Sequence, residues 1–103
     1  MITKVQQLQL LQQNVQSLLA QKQQLQSQLV EMDSALAELK TTEKAYKIVG
    51  KVMLAAPQEQ LSKELQDKKE VTELRLKNVE RQEEKLNQTV EAVQKEVVKE
   101  LKK

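Results

Sequence analysis

Cysteine and histidine are both absent from this chain. Without them there is no disulfide framework, no nucleophile working with an imidazole, no thiolate chemistry and none of the usual zinc sites. A single glycine cannot build a phosphate-cradling loop. Phe and Trp are missing too, and Tyr46 is the one aromatic residue. Because aromatics usually supply much of a globular core's buried area, a hydrophobic content of 39% that is nearly all aliphatic argues against such a core. No apolar run approaches the ~20 residues that span a bilayer. The start, MITKVQQLQLLQQ, lacks the apolar block and small-residue cleavage site of a signal peptide, so a soluble cytoplasmic protein is expected. Charge of one sign is also lacking: 17 basic and 15 acidic residues leave a net +2, too little to draw nucleic acid or an anionic membrane. Carboxylates are plentiful in the second half but sit among lysines with no cleft to shift a pKa. The chain is not expected to be an enzyme, and no cofactor or metal is expected.

What remains is a composition suited to long helices and coiled coil in one domain of 103 residues. Thr3 followed by Gln6 fits a capping box, which starts a helix at about Lys4 and leaves Met1 and Ile2 outside it. A seam then runs through Leu8, Leu11, Val15, Leu18, Lys22, Leu25, Leu29, Met32, Leu36 and Leu39 in alternating steps of three and four. Every position but Lys22 is apolar, the mark of a coiled-coil strand. Ile2, Val5, Leu10 and Leu19 are apolar off the seam, more than one partner helix covers; alternatively, Leu10 and Leu19 simply flank the seam, half shielded by it. Up to Val30 the only charged residues are Lys4 and Lys22, with glutamines at the other polar positions, a choice for which the sequence offers no physical reason.

The segment Ala45 to Ala55, AYKIVGKVMLA, breaks the helical pattern. β-Branched and aromatic residues surround the lone Gly50, which reads as a hairpin turning at Gly50-Lys51. Pro57 marks a helix restart at the first helical position. Gly50 and Pro57 together oppose the alternative of one continuous helix with an irregular patch. A second, more polar seam follows through Leu65, Lys69, Thr72, Leu76, Val79, Glu83, Leu86, Val90, Val93, Val97 and Glu100. Folding back at the hairpin brings Lys22 within about a helical turn of Glu83. The two either pair and set register or snorkel separately to solvent. Off this seam, Val71 and Leu74 are placed to pack under the hairpin, and Val98 and Leu101 to meet the start of the first arm.

The expected fold is therefore mainly α: a long antiparallel two-helix coiled coil with a short β-hairpin at the bend. Its helices cover 1–43 and 57–103, and the hairpin 44–56. An isolated hairpin is marginal in water, and this one has apolar surface with no core of its own. Tyr46, Ile48, Val49, Val52, Met53 and Leu54 are the expected oligomerisation surface, hairpins of several chains joining in a shared β-barrel.

Two stretches, AYKIVGKVML at the hairpin and ELRLKNVERQEEKLNQ in the second arm, resemble the beta-type subunits of the prefoldin family, and the helix, hairpin, helix layout matches over essentially the whole chain. The compact length without long tails is closer to archaeal than to eukaryotic members. The resemblance implies an ATP-independent holdase chaperone: a heterohexamer of two alpha-type and four beta-type subunits that holds unfolded clients at its coiled-coil tips and passes them to a group II chaperonin. Carried onto this chain, the client grip falls on Ile2, Val5, Leu8, Leu10, Val93, Val97, Val98 and Leu101. These are all aliphatic, a departure that leaves flexible aliphatic surface alone to accept varied clients. The alternative from another class is a passive coiled-coil tether or scaffold, which explains the heptads but neither the β module nor the surplus apolar residues. Membrane-surface binding by the first arm is disfavoured by its lack of a cationic face.

Overall fold

The computed structural model describes residues 3–101, in the order α1 (Lys4–Leu39), β1 (Ala45–Val49), β2 (Val52–Ala56) and α2 (Gln58–Leu101). Two compact units are present: the residues up to Gln24 with those from Leu76 on, and Leu25–Arg75. In each, α1 runs antiparallel to α2.

Local chemistry sets where each element starts and stops. The Thr3 N–H donates to Gln6 Oε1 at 3.0 Å and the Gln6 N–H donates to Thr3 Oγ1 at 3.1 Å. This reciprocal box satisfies two groups that the first turn of α1 leaves without partners. At the other end, the Thr41 N–H and hydroxyl both donate to the Glu38 carbonyl at 3.1 Å, closing the last turn before the paired threonines leave the helix. Pro57 lies one residue before α2 rather than in its first helical position, and its carbonyl accepts the Leu61 N–H at 3.1 Å. A residue that caps with its carbonyl needs no N–H of its own, so the proline costs nothing there.

Burial follows the seams. Leu8 through Leu39 along the first seam are all partly covered, while the glutamines between them are exposed except Gln28. On α2 the seam from Leu65 to Val97 is covered throughout, with Val79 and Val93 buried, and only its last member, Glu100, is exposed. Leu61, one step of four before Leu65, is buried as well and extends the seam toward the hairpin. Thr72 is a polar seam residue only 5% exposed, and its hydroxyl donates to the Lys68 carbonyl at 2.8 Å, so no buried polar group is left unpaired there. Val71 and Leu74 do not pack under the hairpin as expected. They stand exposed on α2, because the helix surface nearest the hairpin is made by Leu61, Glu64, Leu65 and Lys68 instead.

Candidate assembly and client-binding surfaces

The hairpin pairs Ala45 with Ala56, Tyr46 with Ala55, Lys47 with Leu54, Ile48 with Met53 and Val49 with Val52. A two-residue loop joins the strands, with Gly50 at φ 62° and no other described residue at positive φ. Positive φ at the first loop position alone is the type II′ pattern, whose twist matches the flanking strands. A Cβ on Gly50 would meet nothing within 4 Å, so the backbone angle alone calls for glycine here.

Residues opposite each other in an antiparallel pair share a face. One face of the hairpin therefore holds Tyr46, Ile48, Met53 and Ala55, all exposed. The other holds Ala45, Lys47 and Ala56, partly covered by the helices, together with exposed Val49, Val52 and Leu54. Lys47 Nζ reaches both carboxylate oxygens of Glu64 on α2, at 3.1 and 3.2 Å, and Gln60 donates to the same carboxylate at 3.4 Å. An open groove of about 400 Å³ lies beside β1, floored by Ala35, Leu39, Leu61 and Leu65, so the hairpin does not lie flush on the helices. All six residues expected to drive oligomerisation are exposed, Ile48 at 69%. The sheet has only two strands, each with a free edge. Such a strand pair, with apolar side chains on both faces, has the pattern of one buried on both sides, yet Tyr46, Ile48, Val49, Val52, Met53 and Leu54 stand exposed among the described residues.

The unit containing the helix ends presents the second surface. Lys4 Nζ meets Glu96 Oε2 at 2.6 Å, which brings the start of α1 against the end of α2. The hydrogen bond between them, reinforced by their charges, raises the Lys4 pKa and lowers that of Glu96. Of the residues expected to grip clients, Val5, Leu10, Val98 and Leu101 are exposed, Leu101 at 79%. Leu8 and Val97 are half covered by the seam they belong to. Val93 is 6% exposed and faces α1, so with the helices paired it offers no surface; its seam position, one of the two that the heptad places inward, decides this. Ile2 lies outside the described residues. The sequence reading passed over Val30, exposed on α1, for which the signal was an aliphatic residue immediately beside seam residue Leu29.

Lys22 and Glu83, the two polar intrusions in the seams, do meet: Nζ to Oε1 is 3.2 Å, with the side chains 28% and 20% exposed. Lys69, another polar seam residue, pairs with Asp33 at 2.7 Å, and the hydrogen bond that it donates to the Asp33 carboxylate raises its pKa. Among the described residues no cluster of acidic side chains could hold a metal ion, and no helix is long and apolar enough to cross a membrane.

The family described as "Prefoldin subunit" matches residues 3–103. The chain is 38% identical over 87 residues to "Prefoldin subunit beta" of Archaeoglobus fulgidus, covering 82% of this chain and 75% of that protein. It is 36% identical over 98 residues to the protein of the same description from Sulfurisphaera tokodaii, covering 92% and 78%. Among solved structures, the prefoldin beta subunit from Thermococcus strain KS-1 superposes with a TM-score of 0.89 at 32% identity, over 97% of this chain and 90% of that one. The chain thus belongs to the prefoldin subunit family, chaperones rather than enzymes, and within it to the beta type found in archaea.

Proposed function

We propose that this chain is one subunit of an ATP-independent holdase, in which its hairpin joins those of neighbouring subunits in a β-barrel and its terminal aliphatics hold unfolded polypeptides. The partner is an alpha-type prefoldin subunit, in a heterohexamer of two alpha and four beta subunits in the cytoplasm, and clients pass from it to a group II chaperonin. The observation that carries the reading is the hairpin, a β module whose Tyr46, Ile48, Val49, Val52, Met53 and Leu54 are all exposed in the isolated chain. Exposed apolar patches of this kind mark interaction surfaces, and unpaired strand edges are templates for further strands. The exposed Val5, Leu10, Val98 and Leu101, in the unit that lacks the hairpin, support a separate surface for clients. Family membership supports the stoichiometry and the hand-over.

The test is suppression of light scattering by an unfolded, aggregating client. The assembled complex is expected to suppress it without ATP, and removal of residues 1–10 and 94–103 is expected to abolish suppression while the assembled mass per full set of subunits persists. Unchanged suppression after trimming would reject the terminal grip. No suppression by the intact complex would leave the plain coiled-coil tether.

A further inference from the structure

The two edges of the hairpin differ in what a further strand would meet. Val49 and Val52 flank the two-residue loop and exchange hydrogen bonds, as do Lys47 with Leu54 and Ala45 with Ala56. The backbone groups of Tyr46 and Ile48 on β1, and of Met53 and Ala55 on β2, therefore point outward at the free edges. A strand added along β1 would roof the groove over Ala35, Leu39, Leu61 and Leu65 and cover the ion pair of Lys47 with Glu64, with Lys44 and Lys68 at the rim. Taking those charges out of water costs stability. Along β2 there is no such cost: from Val52 to Ala56 it has no charged side chain, and its first four residues are exposed.

This strand is also complementary to a second copy of itself run antiparallel. With Leu54 opposite the copy's Leu54, Met53 faces Ala55 and Val52 faces Ala56, a large side chain against a small one in both cases. Met53 and Ala55 then aim their free N–H and C=O groups at each other, twice over across the two-fold axis. The residues at either end fix this register. Setting Met53 against Met53 draws Lys51, a loop residue, into the ladder opposite Ala55. Setting Ala55 against Ala55 puts Met53 opposite Pro57, which has no N–H to donate.

We propose that β2 pairs antiparallel with β2 of a second copy of this chain, Leu54 against Leu54 on the two-fold axis, in a four-stranded sheet of order β1-β2-β2-β1. The inference rests on the hairpin being the joint between subunits and adds the edge, the partner and the register. Both β1 edges, with their charged rim, are left for the alpha-type subunit.

The chain has no cysteine, so an introduced one reports this contact. Opposite residues of a non-hydrogen-bonded pair have Cα atoms about 4.5 Å apart, within reach of a disulfide. In the complex assembled with the alpha-type subunit, mild oxidation of Leu54→Cys is expected to shift most of this chain to twice its mass on a non-reducing gel. Ala45→Cys, on β1, is expected to leave it at single mass. Val52→Cys together with Ala56→Cys, which lie about 13 Å apart along one strand and cannot join each other, is expected to link two copies as Leu54→Cys does. Adding Ala55→Pro to Leu54→Cys removes an N–H that the hairpin itself does not use and is expected to abolish the link. If neither cysteine variant of β2 links in a complex of unchanged mass, the β2 pairing is overturned and the hairpin remains the joint. Equal linking by Ala45→Cys overturns the choice of edge. A large complex that survives Ile48→Asp with Val52→Asp overturns the joint itself, and this pairing with it.

Discussion

Lys22 and Glu83 show what one residue can contribute to a repetitive structure. A seam of leucines alone has many registers of similar energy, each displaced by a heptad, and a polar residue inside the seam is tolerated only where its partner arrives at the same level. The 3.2 Å contact satisfies both charges at once, and a shift by one heptad would leave both partly buried without it. Replacing Lys22 with Glu is expected to lower stability by about 1 to 2 kcal/mol, and the exchanged pair, Lys22→Glu with Glu83→Lys, to recover most of it. Urea unfolding of the four proteins of this cycle measures the coupling. Gly50 is the other single residue with a structural demand of its own. Its φ of 62° costs an L-residue about 1 kcal/mol or more, so Gly50→Ala should destabilise the hairpin by that amount, and a semisynthetic D-alanine at the same position should not. The empty space around its Cβ position means that packing cannot account for any loss seen with the L-residue.

At the scale of elements, ion pairs tie α1 to α2 beside their apolar seams and tie the hairpin to α2 where close packing is lacking. The hydrogen bond from Lys47 holds Glu64 below the ordinary carboxylate range, with the charges of Lys47 and Lys68 adding to it against the opposing effect of burial. Glu96 is lowered in the same way by Lys4. A carboxylate whose folded pKa is depressed contributes stability above its unfolded pKa, and that contribution is lost as pH falls through the folded value. Lys4 and Lys69 are raised by Glu96 and Asp33, so their contributions are complete below the ordinary lysine pKa and are lost as pH rises through the folded ones. Thermal unfolding followed by circular dichroism is therefore expected to show a plateau between the ordinary carboxylate and lysine ranges, with a decline on either side. These groups are largely open to solvent, so salt should shrink the whole profile. Lys47→Met removes the hairpin's tie to α2 and should reduce the acid-side decline in particular. The hairpin's fit over the helices depends on this tie because the groove beside β1 leaves it without close packing there.

For the whole molecule the decisive quantity is the apolar surface that the single chain leaves uncovered. Two faces of a two-stranded sheet are too much to expose in a stable monomer, and a shared barrel would cover the inward one while pairing both free edges. Replacing Ile48 and Val52 with Asp places a charge on each face, since Ile48 shares its face with Met53, and Val52 its face with Val49. The expected outcome in native mass spectrometry is collapse of the large complex to monomers or dimers with helix content retained. A large complex that survives these substitutions would show that the subunits join elsewhere.

Much of this architecture was legible from residue order, because it is local or periodic. The capping box needs only Thr3 and Gln6, the turn only Gly50 between β-formers, and the seams only a repeat of three and four, which declares its inward positions without reference to the partner. Reach and coverage were not legible. Whether Lys22 meets Glu83 or turns to solvent, whether Val71 and Leu74 are covered by the hairpin, and whether Val93 is available or enclosed each depend on where a second element passes in space. The hairpin's tie through Lys47 to Glu64 belongs to the same class. Side-chain type and spacing determine which surface is sticky, whereas only tertiary contact determines which part of that surface is already occupied.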